Sequence, residues 1–126
     1  MTKSKAEIGV AFLGAGRMGE THLRNLAAVN GARVKVVADP NLGAAEHGRE
    51  LSGADRATAK IDEAILDPAV DAVIIVTPTD THARLIETAV LAGKAVFSEK
   101  PIALELAETK RVVDLVNQKG AAVQLG

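Results

Sequence analysis

A short apolar run followed at once by three closely spaced glycines restricts this chain more than any other feature of its sequence. Five of the six residues from Ile8 to Leu13 are apolar, which is typical of a strand covered on both faces in a parallel sheet. Gly14, Gly16 and Gly19 follow with the spacing G-x-G-x-x-G. A strand, a glycine turn and the start of a helix in this order indicate a dinucleotide-binding βα unit.

Each glycine of this turn has its own predicted task. Gly14 permits a tight turn, Gly16 lets the backbone approach a pyrophosphate, and Gly19 lets the following helix lie close against the strand. The free N–H groups at the start of the helix face the phosphates, with the positive end of the helix dipole behind them. The predicted cofactor-binding residues of the turn are Gly14, Ala15, Gly16, Arg17, Met18 and Gly19.

Apolar runs and turn residues predict six strands that alternate with helices. The predicted strands span residues 8–13, 34–38, 57–59, 70–76, 95–97 and 121–125. The predicted helices span residues 17–29, 42–51, 62–66, about 80 to 92, and 104–118. Because parallel strands joined by helices require right-handed crossovers, the expected fold is an α/β, doubly wound parallel sheet of the Rossmann type with strand order 3-2-1-4-5-6. Ligands are expected at the carboxyl ends of strands one and four.

Two details of the helices are also predicted. Thr79 or Asp80 is the expected N-cap of the fourth helix, since both side chains can accept a hydrogen bond from a free N–H group. The last helix is expected to be buried through four of its apolar residues, Leu106, Val112, Val113 and Val116.

Composition excludes several classes of function. The chain has 126 residues, expected to form one domain (1–126), with a formal net charge of -1 and no basic block that would indicate nucleic-acid or membrane binding. It has no cysteine, so disulfides, thiolate metal sites and a thiol nucleophile are excluded, and no metal site is predicted. No apolar stretch resembles a signal peptide or a membrane span, so a cytoplasmic location is expected.

Asp39 is the predicted determinant of cofactor choice. It lies 20 residues after Gly19, at the carboxyl end of the second strand, where dinucleotide-binding folds place a carboxylate that binds the adenosine ribose. The same charge repels a 2′-phosphate, by about 1 kcal/mol per unit charge at 4 Å in water. NAD is therefore predicted over NADP. The alternative is an ordinary turn aspartate before Pro40.

Four segments together resemble one enzyme family. They are residues 14–19 with His22, residues 38–40, residues 77–82, and residues 92–101 with the sequence AGKAVFSEKP. In this order they closely resemble the N-terminal, NAD(P)-binding domain of the glucose-fructose oxidoreductase, inositol 2-dehydrogenase and rhizopine-catabolism (Gfo/Idh/MocA) family. The resemblance covers nearly the whole chain and implies a nicotinamide-dependent oxidoreductase acting on a sugar, cyclitol or related polyol.

The resemblance also implies roles for residues beyond the glycine turn. Thr77, Pro78 and His82 would lie along the nicotinamide half of the groove, while Glu99 and Lys100 would reach the nicotinamide ribose and the reacting carbon. Lys100 corresponds to the usual catalytic lysine of the family, and a lysine near a hydroxyl can polarise it and relay its proton. On the residues alone, Thr77-Pro78 could be merely a turn, His82 a surface residue and Glu99-Lys100 a solvated charge pair. The Lys100–Pro101 bond is a candidate for the cis form.

Members of the family carry a second, mostly antiparallel α/β domain that supplies the substrate pocket, further proton-transfer groups and the oligomer interface. The chain is therefore interpreted as the cofactor domain without that second domain, binding NAD(H) with little or no turnover alone. A stand-alone NAD(H)-binding or sensing module is the first alternative. A Rossmann-like domain for S-adenosylmethionine is the second, although a methyl donor needs no Glu99-Lys100-Pro101 segment. An exposed apolar surface and an edge strand predict a homo-oligomer.

Overall fold

A computed structural model describes residues 7–126 and contains six strands and five α-helices in this range. The strands are β1 (Ile8–Leu13), β2 (Ala32–Ala38), β3 (Arg56–Thr58), β4 (Ala72–Ile75), β5 (Ala95–Ser98) and β6 (Val123–Leu125). The helices are α1 (Arg17–Ala27), α2 (Leu42–Ser52), α3 (Ile61–Ile65), α4 (His82–Leu91) and α5 (Leu106–Lys119), with a 3₁₀ turn (Thr79–Thr81) before α4.

All six strands belong to one parallel sheet with the order β3-β2-β1-β4-β5-β6. The predicted doubly wound fold and strand order are therefore confirmed. The chain leaves β1 toward β2 and β3 on one side and returns to β4 on the other. The strand order thus reverses between β1 and β4, where the carboxyl ends of neighbouring strands leave a crevice.

The apolar residues of β1 divide the core into two layers. Because successive side chains of a strand point to opposite faces, Phe12 packs with Leu23 of α1 on one face of the sheet, and Leu13 packs with Leu85 of α4 on the other. Phe12 and Leu13 are fully buried. The glycine turn therefore follows a strand that is covered on both faces.

The fifth helix is buried differently from the prediction. Val112 is fully buried, with Leu115 and Val116 packed beside it, but Leu106 is 83% exposed and Val113 is 40% exposed. At 3.6 residues per turn, Leu106 and Val113 lie on other faces of the helix than Val112. The assignment of Leu106 and Val113 to the core was wrong because an i, i+3, i+4 pattern from Val112 reaches Leu115 and Val116 instead.

The start of α4 also differs from the prediction. Neither Thr79 nor Asp80 caps the helix, because both lie in the 3₁₀ turn that precedes it. The N-cap is Thr81, whose side chain does not cap the helix and whose Oγ1 donates a hydrogen bond to the Pro78 carbonyl at 2.6 Å. Within residues 7–126, no helix has the length and apolar character needed to cross a membrane.

Candidate functional site: a dinucleotide-binding groove

The turn after β1 needs glycine at two positions for reasons of packing. Gly14 has a φ of 99°, and a Cβ on it would lie 2.6 Å from the Val76 carbonyl oxygen. A Cβ on Gly19 would come closer than 3.0 Å to the Gly14 carbonyl oxygen. Because both obstacles are backbone atoms, neither can rotate away. The strand, the turn and α1 are therefore packed too closely for a side chain at either position.

Gly16 differs from the other two glycines because it faces open space. A Cβ on Gly16 would meet no protein atom within 4 Å, and no side chain caps α1, which begins one residue later. Arg17 and Met18 in the first turn are also exposed. The backbone at the start of α1 is thus accessible to an anion, and the positive end of the helix dipole points toward it.

Ala15 contributes only its backbone to this region. Its side chain is buried in the core, and its N–H donates a hydrogen bond of 2.9 Å to Oδ2 of Asp39. The other carboxylate oxygen of Asp39 accepts a hydrogen bond of 2.8 Å from the Asn41 N–H. Asp39 therefore ties the end of β2 to the glycine turn. Each carboxylate oxygen keeps a second lone pair that can accept from a ribose hydroxyl.

The segment after β4 contains Thr77, Pro78 and His82. Thr77 is half-buried, and its Oγ1 lies 2.6 Å from Oγ1 of Thr81. Pro78 is exposed. Thr77 and Pro78 both line the groove in front of the glycine turn.

His82 lies behind the groove wall. Its ring is only 1% exposed, with Nδ1 at 2.7 Å from the Pro101 carbonyl and Nε2 at 2.8 Å from the Thr77 carbonyl. Both ring nitrogens thus face backbone carbonyls. This placement differs from the direct cofactor contact that the family resemblance implies, because the buried ring has no free nitrogen. His82 connects the segment after β4 to the segment after β5.

Glu99 and Lys100 follow β5 at the carboxyl edge of the sheet. The Glu99 N–H donates to the Ile75 carbonyl at 3.1 Å, which continues the pairing with β4. Oε2 of Glu99 lies 2.9 Å from Nε2 of His22 in α1. Lys100 is exposed, and the Lys100–Pro101 bond, a candidate for the cis form in the sequence, is cis.

A groove of about 520 Å³ runs along the crevice between β1 and β4, a size typical of small-molecule and cofactor sites. The lining residues are Gly14, Gly16, Asp39, Pro40, Ile61, Val76, Thr77, Pro78 and Thr81. An open helix N-terminus suits phosphates, and a carboxylate at the end of β2 suits a ribose diol. The fold and the groove together define a dinucleotide-binding Rossmann domain.

The particular family follows from residues 8–126, which match the family model GFO_IDH_MocA, an oxidoreductase family with an NAD-binding Rossmann fold. The chain belongs to this family and forms its NAD-binding Rossmann domain. It is 40% identical over 95% of its length to a scyllo-inositol 2-dehydrogenase (NAD(+)) from Bacillus subtilis (strain 168). It is 41% identical over 91% of its length to an inositol 2-dehydrogenase from Rhizobium meliloti (strain 1021).

A solved structure has the same fold with ligands bound. The scyllo-inositol dehydrogenase from Lactobacillus casei, crystallised with NAD(H) and scyllo-inositol, superimposes with a TM-score of 0.89 and 30% identity. That likeness covers 95% of this chain and 36% of the Lactobacillus casei chain. The chain likewise spans 35% and 34% of the Bacillus subtilis and Rhizobium meliloti enzymes, or about a third of their length.

Sequence reasoning missed part of the site. Ile61, Val76 and Thr81 line the groove although their residue types carry no binding signal. His22 was noted only as part of the family pattern, yet it contacts Glu99 across 77 positions of the chain. The available signal was the position of His22, one helical turn after the last glycine and on the side of α1 that faces β5. Reading that signal requires the strand order, because β5 becomes a neighbour of α1 only in the folded sheet.

Proposed function

We propose that the chain binds NAD(H) in preference to NADP(H) and serves an oxidoreductase whose substrate is a cyclitol or related polyol. The observation that carries the cofactor preference is the Asp39 carboxylate, which lines the groove and is fixed in place by the Ala15 and Asn41 N–H groups. A fixed negative charge accepts the two hydroxyls of an adenosine ribose and repels a 2′-phosphate. The inositol dehydrogenases to which the chain is similar support the substrate class.

Glu99 and Lys100 are the proposed residues at the reacting end of the groove. When bound, the nicotinamide ring accepts a hydride from the substrate carbon or returns one to it. Lys100 orients the substrate hydroxyl and relays its proton, for which its exposed position after β5 leaves the amine free to approach a substrate. Glu99 accepts a hydrogen bond from the neighbouring ribose. Thr77 and Pro78 line the nicotinamide half of the groove.

We also propose that these 126 residues alone bind cofactor with little or no turnover. Hydride transfer requires the substrate to be held against the nicotinamide ring. The groove of the described residues is lined by the cofactor-binding turn and its neighbours, and the related dehydrogenases are about three times as long. NAD(H) binding without turnover is the expected behaviour of this chain.

We further propose that copies of the chain associate through the face of β4 and β5 that lies beside α1. Ile74, Phe97 and Val29 line a mostly apolar depression there, and Val29 is 50% exposed. With a formal net charge of -1, little repulsion opposes contact between two copies. Light scattering is expected to give a mass above that of one chain, and a sharply monomeric mass at high concentration would contradict this proposal.

The cofactor proposal is tested by titration with NADH and NADPH, followed by the fluorescence of the reduced nicotinamide. The chain has no Trp or Tyr whose emission would interfere. NADH is expected to bind about fivefold more tightly than NADPH, or better, from one unfavourable charge interaction. The Asp39→Asn variant keeps an acceptor oxygen but loses the charge, so the ratio of the two affinities is expected to move toward one.

Asp114→Asn is the matched control, since Asp114 is an exposed aspartate on α5. It should leave both affinities unchanged. Tighter binding of NADPH than NADH by the unmodified chain would overturn the role of Asp39. Binding of S-adenosylmethionine with no binding of either nicotinamide cofactor would overturn the cofactor class itself.

A further inference from the structure

A side-chain contact joins α1 to the segment that follows β5. Nε2 of His22 lies 2.9 Å from Oε2 of Glu99, and the edge of the His22 ring packs on Phe97 with ring centroids 6.2 Å apart. The His22 side chain is 31% exposed and that of Glu99 is 27% exposed. The contact is therefore partly shielded from water, and the His22 ring has an aromatic neighbour.

The direction of this hydrogen bond follows from its partners. A carboxylate only accepts, so Nε2 of His22 carries the proton in either the neutral or the charged ring. The bond occupies one oxygen of Glu99. Among the described residues, no donor binds the other oxygen, Oε1. One half of the carboxylate is thus anchored and the other half is available to a ligand.

We propose that His22 is a positioning residue that holds the Glu99 carboxylate in the orientation needed to bind the nicotinamide-side ribose. The inference rests on the proposed binding of NAD(H) in this groove. Without the Nε2 donor, the Glu99 side chain would rotate among several rotamers, and binding would have to restore the lost order. His22 also makes the orientation of Glu99 depend on α1, whose first turn faces the phosphates.

The proposal distinguishes His22 from a residue that merely stabilises the fold. The amide nitrogen of glutamine reaches about as far from the backbone as Nε2, whereas the amide nitrogen of asparagine reaches only as far as Nδ1. His22→Gln therefore retains a donor to Glu99, and His22→Asn does not. Both substitutions remove the same aromatic contact with Phe97. Loss of packing should affect the two variants equally, whereas loss of positioning should affect only His22→Asn.

The experiment measures the affinities of NADH and ADP by calorimetry for the unmodified chain and these variants. ADP contains the adenosine and the pyrophosphate but no second ribose, so it does not reach Glu99. His22→Asn is expected to weaken NADH binding about five- to tenfold, the net contribution of about one hydrogen bond, with ADP affinity unchanged. His22→Gln should retain most of the NADH affinity. In a Glu99→Ala background, His22→Asn should have no further effect.

His47→Asn is the matched control, since His47 pairs with a different carboxylate, that of Glu20, at 3.5 Å between α2 and α1. It should leave NADH affinity unchanged. Equal NADH affinity in His22→Asn and the unmodified chain would overturn the positioning role. Equal losses of NADH and ADP affinity would also overturn it and would assign His22 to packing. If the unmodified chain binds ADP but not NADH, the proposed binding of NAD(H) is itself wrong. That result is distinguishable from both outcomes that would overturn the role of His22.

Discussion

Replacing Gly16 and Gly19 by alanine, one at a time, separates cofactor binding from folding within a single turn. The two residues lie three positions apart but have opposite surroundings. Gly19 is buried against the backbone of the turn, and Gly16 faces open space. Gly19→Ala is therefore expected to destabilise the fold, and Gly16→Ala is expected to impair binding while the fold remains intact.

The expected magnitudes follow from what each methyl group would meet. At Gly19 the Cβ would lie within 3.0 Å of the Gly14 carbonyl oxygen and 3.4 Å from Cε1 of the buried Phe12. Overpacking of this kind costs about 1–3 kcal/mol. With an unfolding entropy of about 2.1 cal/mol/K per residue, each kcal/mol lowers the Tm of a chain of this length by about 4 °C. A fall of roughly 4–12 °C is expected.

Gly16→Ala should leave stability within about 0.5 kcal/mol of the original value. Its backbone, with φ -77° and ψ -164°, is extended and accessible to alanine. The added methyl group stands where the backbone would approach a pyrophosphate, so NADH affinity is expected to fall at least about tenfold. The affinity is read from nicotinamide fluorescence. Stability is read by far-ultraviolet circular dichroism, which suits a chain without Trp or Tyr.

Gly43→Ala is the control, because Gly43 lies exposed in the first turn of α2 and its Cβ would meet only Oδ1 of Asn41, at 3.2 Å. It should leave NADH affinity unchanged and lower the Tm less than Gly19→Ala does, because the atom that it meets belongs to a side chain and not to the backbone. The reasoning is refuted by an unchanged Tm in Gly19→Ala. It is equally refuted by full NADH affinity in Gly16→Ala, since the open space in front of Gly16 would then have no part in binding.

Two other predictions concern a buried ring and an acid-sensitive carboxylate. His82→Leu removes the ring donor from between the Thr77 and Pro101 carbonyls, and the free energy of unfolding in urea is expected to fall by about 1–3 kcal/mol; an unchanged value would show that the ring does not connect these segments. Hydrogen bonding from the Ala69 N–H, and then from Arg56, lowers the pKa of Asp67. Because the folded pKa lies below the unfolded one, this stabilisation is full above the unfolded pKa and is lost as pH falls through the folded value. As the pH falls below about 5, the free energy of unfolding measured in urea should therefore decrease less for Asp67→Asn than for the unmodified chain. Identical dependence on pH in the two proteins would refute this assignment.

Much of the fold could be predicted because it is encoded in local patterns. Short apolar runs separated by helical segments determine an alternating α/β chain, and the crossover rule then leaves few strand orders. The predicted and observed bounds of the strands and helices differ by one or two residues at most ends. Strand β4 begins later than the predicted run from Val70 to Val76, because the Val70 N–H donates to the Asp67 carbonyl of the preceding turn and not to the sheet. Burial on α5 was harder, since Val112 and Val113 are equally apolar and only the position of α4 decides which is covered.

The side chains of the site were predicted less completely because their partners lie far away in sequence. A glycine turn can be recognised from adjacent residues alone. The buried position of His82, in contrast, depends on the Pro101 carbonyl, 19 positions further along the chain. From the sequence, a histidine at the start of a helix is equally compatible with a surface residue and with a residue that contacts a ligand. Its actual position between two backbone carbonyls is visible only once β4 and β5 are paired. The same applies to His22 and Glu99.

Three segments follow strands at the carboxyl edge of the sheet, those after β1, β4 and β5, and each is joined by a hydrogen bond to a side chain from another part of the chain. Asp39 holds the glycine turn through Ala15, and His22 holds the carboxylate of Glu99. His82 joins the segments after β4 and β5. Since residues in one hydrogen-bonded network couple energetically, substitutions at these sites should not act additively. Asp39→Ala removes both a ribose acceptor and the partner of a half-buried N–H. It should therefore cost more NADH affinity than Asp39→Asn, and the excess combines the lost ribose acceptor with the loss of the hydrogen bond that ties β2 to the phosphate turn.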